Sequence, residues 1–477
     1  MPAHTDLVGR RASQPPSLPM TQDICHDFAR ASAGTRFEDL PAAAVESARN
    51  SVLDTVGVTL AASGLEPAVR NFVDVVTECG GRRESTVLGF GDRLPAPLAA
   101  LANGAMAHCL DFDDQTPWGA HAASSIVPAA FAVAERIGGV SGRKMLAAVA
   151  VGQDLFARLR CNVGWRKDWN LSTSVGIFSA AVAASHVLGL DARQTAHALG
   201  IASMQSSGTM ELIFGTGSDL RGMYAGFTAQ GAVLGALLAQ RGITGIDTLF
   251  EGRAGIFNTY YGGHYDRAAM LHGLGTDYLG AGTLYKAWPA VGNVHTYLHA
   301  TLVLMKEHRL ANDDIEQVLV SVGDFQKIMS SPLEQRRAPA TLVDAKFSLP
   351  FCVGLALARG RVKVSDFSAA TLKDPQVLAA AAKVLPVDDS RFDWNTTLPD
   401  GRVEIVTRDG RHLVRVGDKV PGSAEAPMTW DDLAEKFRDC AGAATVPVAA
   451  ERVERALQLA RDFEHLEDVS ELFRTLA

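Results

Sequence analysis

Between His108 and His121 the chain reads HCLDFDDQTPWGAH, which places two histidines and three aspartates within fourteen residues. Imidazole and carboxylate together move protons near neutral pH; in another geometry they ligate a divalent metal. Such groups are costly beside apolar helices unless they are paired or working. His108 and Asp111, three residues apart at the end of an expected helix, can point to the same side. Three readings are open. The aspartates can cap helix ends, with the histidines satisfied by the same network. The cluster can bind zinc, manganese or iron, although it has no His-x-x-x-His pair and no second ligand set stands elsewhere. Or His121 moves a proton while an aspartate fixes its tautomer.

Further candidates lie downstream. Arg221 and Tyr224 in DLRGMYAG fit a carboxylate clamp and a proton donor, against a plain salt bridge from Arg221 to Asp219 or Glu211. YKAWPAVGNVH carries Lys286, Trp288, Asn293 and His295, with Pro289 and Gly292 marking an irregular connection. Lys346 in DAKFSLPF opens an apolar helix, where a lysine is ordinarily solvated.

The elements that must position these groups are mostly helices. From about residue 28 to 262 the spacing is helical: Val45, Val52, Leu53, Val56 and Leu60 share a face, with Pro41 suited to the first turn and Gly64 to a stop. Ala, Leu and Gly dominate 179–190 and 225–241, which predicts close helix packing in a bundle. The glycines Gly215, Gly217 and Gly222 lack the preceding strand and Gly-Lys-Ser/Thr ending of a phosphate loop. After about Leu271 the character changes. IEQVLVSV (315–322) reads as a strand, and 402–416 reads as a hairpin with a type I′ turn at Asp409-Gly410. Helices return at 347–359, from an N-cap at Thr429 to Cys440, and over 448–463. The fold class is mainly α with a smaller α+β domain. The expected limits are a disordered leader over 1–20, a helical domain over 21–268, an α+β lid over 269–422, and C-terminal helices over 423–477 that return to the helical body.

Composition narrows the function. With 47% apolar residues and a net charge of -8 spread along the chain, no basic block suits nucleic acid. The six cysteines are scattered, which argues against a disulfide framework. The N-terminus lacks an apolar segment, and no uncharged run approaches membrane-spanning length, so a soluble cytoplasmic protein is expected rather than one with a transit peptide.

Taken in order, NGAMAHCLDFDD, HAASSIVPAAFAVAE, GLDARQTAHALGIA, AGFTAQGAVLGALLAQRGITG, KAWP, DAKFSLPF and WDDLAEKFR resemble the MmgE/PrpD family. The family includes 2-methylcitrate dehydratase, cis-aconitate decarboxylase and iminodisuccinate epimerase. The resemblance implies a helical domain made of N- and C-terminal parts, an α+β lid, a homodimer, and catalysis without metal or organic cofactor. Asp111 and His121 match catalytic positions of the decarboxylase branch. Elsewhere the site departs: Gln115, Thr116 and Pro117 follow the Asp-Asp pair, Asn170 stands for a family histidine and Arg221 for a family lysine. Val291 aligns with another family histidine, with His295 four residues later. Arginine clamps anions but is a poor proton donor, so the fold and an anion pocket are expected to persist while substrate or reaction has changed.

The resulting expectation is a cofactor-independent lyase removing a proton α to a carboxylate of a small di- or tricarboxylate. Asp111, His121 and Tyr224 are its catalytic residues; Gln115, Asn170, Arg221, His295 and Lys346 bind substrate. An epimerase with two proton carriers is the alternative, and a non-catalytic carboxylate-binding dimer the further one.

Overall fold

A computed structural model describes residues 22–215, 218–394 and 398–476; the leader expected over 1–20 and Gly217 of the glycine run lie outside them. The described residues are mainly helical, with one four-stranded sheet and a two-residue strand pair at Ser85–Thr86 and Arg93–Leu94.

The largest core is built by α1 (Ala42–Leu65), α2 (Ala96–Cys109), α3 (Ala123–Ile137), α4 (Gly142–Asn162), α5 (Gly176–Leu188) and α6 (Leu220–Gln240). Their small residues let backbones meet. A Cβ on Gly104 of α2 would stand 2.9 Å from the Cα of Gly226 in α6, and one on Gly226 would stand 2.3 Å from the Leu101 carbonyl oxygen. Gly222 belongs to the same crossing, 3.0 Å from the Cα of Cys109 by the same measure. Its glycine therefore serves helix packing. Gly64 corrects another expectation: α1 runs past it to Leu65, and a Cβ there would meet the Ala443 carbonyl at 2.1 Å. It is a contact point rather than a stop.

The spans Leu171–Leu188 and Leu220–Gln240 are long and apolar enough to cross a membrane, contrary to the expectation that no such run exists. They are 89% and 72% buried within the protein, which accounts for their apolarity as core helices.

A second core surrounds the sheet. Strand β1 (Ile315–Val322) forms where its β-branched run predicts. It pairs in parallel with β2 (Val384–Asp388) and antiparallel with β3 (Arg402–Thr407), which pairs with β4 (His412–Val416) in the order β2-β1-β3-β4. Val403 and Ile405 share this core with residues of α7 (Gly292–His308) and α8 (Leu349–Arg359). The hairpin turn is not type I′. That turn needs positive φ at both central residues, and only Gly410 has it, at 82°. The Gly410 N–H instead donates to the Thr407 carbonyl at 2.9 Å, closing a turn over 407–410.

Toward the C-terminus, α9 (Trp430–Ala441) begins at a capping box in which Thr429 and Asp432 bond reciprocally. With α10 (Ala450–Arg461) it adds Leu433, Phe437, Leu457 and Leu459 to the first core. Chain that leaves the first core before the sheet therefore returns to it.

Candidate active site

Three buried lysines from distant segments shape the turn after α2. The Lys346 ammonium pairs with Glu66 at 2.8 Å and donates to the Cys109 carbonyl at 3.1 Å. Lys286 pairs with the Asp111 carboxylate and donates to the Asp111 carbonyl at 2.9 Å. Lys436, on α9, pairs with Asp54 at 2.7 Å and donates to the carbonyls of Phe112 and Lys286 at 2.6 and 2.9 Å. Each cation is matched by a carboxylate, which offsets its desolvation, and its spare donors collect carbonyls that no helix satisfies. Held this way, Asp111 adopts φ 49°, a left-handed conformation unusual for a non-glycine residue.

Within this frame Asp113 is shared by two imidazoles. His108 Nδ1 lies 2.9 Å from Asp113 Oδ2, and His121 Nδ1 lies 3.3 Å from the same oxygen. His121 Nδ1 also lies 2.6 Å from the Asp114 carbonyl oxygen. Both neighbours of that nitrogen are acceptors, so Nδ1 carries the proton and neutral His121 keeps its lone pair on Nε2, 3.8 Å from Asp111 Oδ1. The two rings stand 4.6 Å apart, and the His108 ring stands 4.4 Å from that of Tyr224.

Burial alone would pull the His121 pKa down, but Asp113 and Asp111 outweigh it and the net shift is upward. Burial likewise pushes Asp113 up, and the two imidazoles reverse that to hold it well below the usual carboxylate range. Asp111 is also lowered: Lys286 and the histidines overcome its desolvation. Asp114 goes the other way, to about 7, because burial and the Asp113 charge act together. Its carboxylate accepts from the Ala123 N–H at 3.1 Å, where α3 begins. This aspartate does cap a helix, as the first reading of the cluster has it, while Asp111 and Asp113 hold side-chain cations and imidazoles.

These groups open onto a cavity. His108, Asp111, Gln115, His121, Asn170 and Tyr224 line it. Gln115 is fixed by a two-bond bridge to Leu284. A Cβ on Gly292 would stand 2.1 Å from its side-chain oxygen, so that glycine lets the side chain lie against α7. The Ser172 hydroxyl oxygen accepts from the His121 backbone N–H at 3.0 Å. Burial raises the Tyr224 pKa well above its ordinary value, so the phenol holds its proton.

One ligand atom from each of His108, Asp111, Asp113 and His121 lies within 4.8 Å of the others, a grouping able to receive a metal ion. Zinc–nitrogen and zinc–oxygen bonds are about 2.0–2.2 Å, so four such atoms would have to contract around the ion. The Lys286 ammonium already occupies Asp111, and both oxygens of Asp113 face imidazole nitrogens. A metal would have to displace those partners.

Family models place the chain. The MmgE/PrpD N-terminal domain matches residues 26–268 and the MmgE/PrpD C-terminal domain matches residues 288–462. This chain belongs to the MmgE/PrpD family. Similar proteins include the cis-aconitate decarboxylase of Aspergillus terreus, 25% identical over 96% of each chain. The human cis-aconitate decarboxylase is 25% identical over 95% of this chain and 94% of its own. The mitochondrial 2-methylcitrate dehydratase of Yarrowia lipolytica is 24% identical over 52% of this chain and 48% of its own. Both names denote lyases.

Three residues expected to bind substrate in this MmgE/PrpD protein stand away from the cavity lining. Lys346 is neither solvated nor free to clamp an anion, because it is spent on Glu66. Arg221 lies behind Phe347, its guanidinium 3.6 Å from the ring centroid, and it donates to the Gly215 carbonyl at 3.2 Å. His295 is buried, its Nε2 lies 3.1 Å from the Ala290 carbonyl oxygen, and burial with the nearby Lys286 charge lowers its pKa to about 3. It stands 5.3 Å from the Trp288 ring. Conversely, the carboxylate beside His121 Nδ1 is Asp113, which is not among the expected site residues. His108, Lys286 and Arg160 join the site. The first two have a sequence signal, in the cluster and in YKAWP; Arg160 has none.

Proposed function

We propose that this MmgE/PrpD chain is a lyase that eliminates water from a small carboxylate, with His121 as the base. His121 Nε2 takes the proton α to the carboxylate, and the electrons of that C–H bond form the new double bond. The bond from the β carbon to its hydroxyl oxygen breaks, and Tyr224 supplies the proton that lets the oxygen leave as water. Asp113 offsets the imidazolium charge, while the Asp114 carbonyl keeps Nδ1 protonated so that only Nε2 accepts.

The observation that carries this reading is the Nε2 of His121, left free at the cavity while both acceptors stand at Nδ1. The lyase names of the relatives support it. An epimerase would use the same base and return the proton from Tyr224 to the opposite face. Its other candidate donor, His295, is withdrawn from the cavity lining. A homodimer is part of the proposal: Leu220, Phe227 and Leu234 form an exposed stripe at seven-residue spacing along α6, suited to a second copy.

Proton NMR in D₂O with citrate, 2-methylcitrate, cis-aconitate, tartrates and iminodisuccinate tests the reaction type. New vinyl signals, unchanged by a chelator, are the expected result. Deuterium at carbon with no new double bond would replace the lyase by the epimerase, and vinyl signals abolished by chelation would bring back the metal reading.

A further inference from the structure

Helix α7 begins at the cavity: Val291, Gly292 and Asn293, its N-cap and first two residues, all belong to the lining. A helix start leaves its first N–H groups without intrahelical acceptors, and a Ser, Thr, Asp or Asn side chain at the N-cap ordinarily takes one of them. Valine has no oxygen to offer, and the N-cap side chain of α7 makes no such bond. Among the described residues the N–H groups of Gly292 and Asn293 meet no acceptor.

The first turn is nonetheless held firmly. The Val291 N–H donates to the Lys346 carbonyl at 3.0 Å, and Lys346 is itself fixed by Glu66 and the Cys109 carbonyl. The free N–H groups are therefore presented on a fixed frame, at the positive end of a 17-residue helix.

A second observation, independent of the backbone, points to the same place. The Asn293 side chain is 2% exposed and lines the cavity, and its Nδ2 has no hydrogen-bond partner among the described residues. A buried donor left unpaired costs about 1–3 kcal/mol, which a ligand oxygen would offset. Gln115, whose amide carries both an acceptor and a donor group, lies against Gly292 beside this turn. Arg160 is buried in the same lining with no carboxylate partner among the described residues, so it gives another carboxylate of the same ligand a cation.

We propose that the start of α7 is a carboxylate subsite of the substrate, in which one carboxylate takes the place of the missing N-cap oxygen. The N–H groups of Gly292 and Asn293 and the Asn293 amide hold it. The inference rests on reading this cavity as the catalytic site.

Calorimetric titration with tricarballylate, a tricarboxylate with no hydroxyl to eliminate, reads binding apart from turnover. Val291→Asp places a carboxylate of the chain itself at the N-cap. That variant should melt no lower than wild type, because it gains a cap, and should bind tricarballylate about tenfold more weakly or worse, because the donors are taken. A purely structural role for Val291 would lower the melting temperature instead. Asn293→Leu removes the side-chain donor at similar volume and should also weaken tricarballylate by about tenfold, which tests the subsite should the aspartate variant not fold. Wild-type affinity in either folded variant, or a wild-type protein that binds no tricarballylate, would overturn the assignment. The two proposals fail separately. Weakened binding in the variants of a protein that yields no vinyl product would keep the subsite and retire the lyase, whereas vinyl product with undiminished affinity would do the reverse.

Discussion

Lys286→Met is expected to destabilise the protein by about 3–5 kcal/mol, the usual consequence of removing one partner from a buried ion pair. Both side chains are almost fully buried, and the Asp111 carboxylate would be left without its cation beside a second carboxylate. The Lys286 ammonium also holds the Asp111 carbonyl, so the left-handed turn at Asp111 would relax and activity would fall with stability. The pH dependence has a definite sign. Asp111 has a lowered pKa in the folded protein, so its contribution is fully present above the ordinary aspartate pKa and is lost as pH falls through the folded value. The melting-temperature gap between wild type and Lys286→Met should therefore be widest near neutrality and narrow in acid. The double variant Lys286→Met/Asp111→Asn should recover part of the loss, since no buried charge is left unpaired. A variant that melts like wild type at neutral pH would remove the ion pair from this account.

Asp113→Asn is expected to lower kcat by about 10²–10⁴, the range that positioned acid–base groups contribute. The amide preserves the volume but cannot carry the negative charge that offsets imidazolium, and its NH₂ can face a ring nitrogen where an acceptor is needed. The charge also raises the His121 pKa. Without it, burial dominates and the pKa falls. As a base, His121 works in its neutral form, so the acid limb of kcat/KM should move to lower pH in the variant even as the maximum drops. A limb that stays in place would mean that a different group sets it.

Much of this organisation was legible in the sequence because it is local. The strand at Ile315–Val322 announces itself by β-branched residues, and the helix start at Thr429 by its N-cap residue type. The polar loop from His108 to His121 stands out against alanine-rich flanks. Local signals also mislead where tertiary contacts decide. Asp409-Gly410 looks like a type I′ turn, yet only its glycine takes positive φ. Gly64 looks like a helix stop, yet it makes room for the Ala443 carbonyl from the far end of the chain.

The site shows the same division. Asp111, His121, Tyr224, Gln115 and Asn170 meet at one cavity. Their neighbours could not be read from spacing, because each arrives from a distant segment. Lys286 reaches Asp111 across 175 residues and Lys436 reaches Phe112 across 324. Arg160 shares its helix with Arg143 and Arg158, which pair with Glu38 and Asp154, and its own missing counter-ion becomes visible only when its surroundings are assembled. Lys346 shows the reverse case: its sequence context predicts solvation, and the fold buries it against Glu66.

Solvent exchange at carbon tests the role of His121 most directly. Once a turned-over or exchanging carboxylate is known, wild type, His121→Gln and His295→Gln are incubated with it in D₂O, and deuterium at the α carbon is followed by NMR. Wild type and His295→Gln should incorporate deuterium at one α position, and His121→Gln should lose about 10²–10⁴ of that rate while keeping its melting temperature. Wild-type exchange in a folded His121→Gln protein would contradict the assignment of His121 as the base.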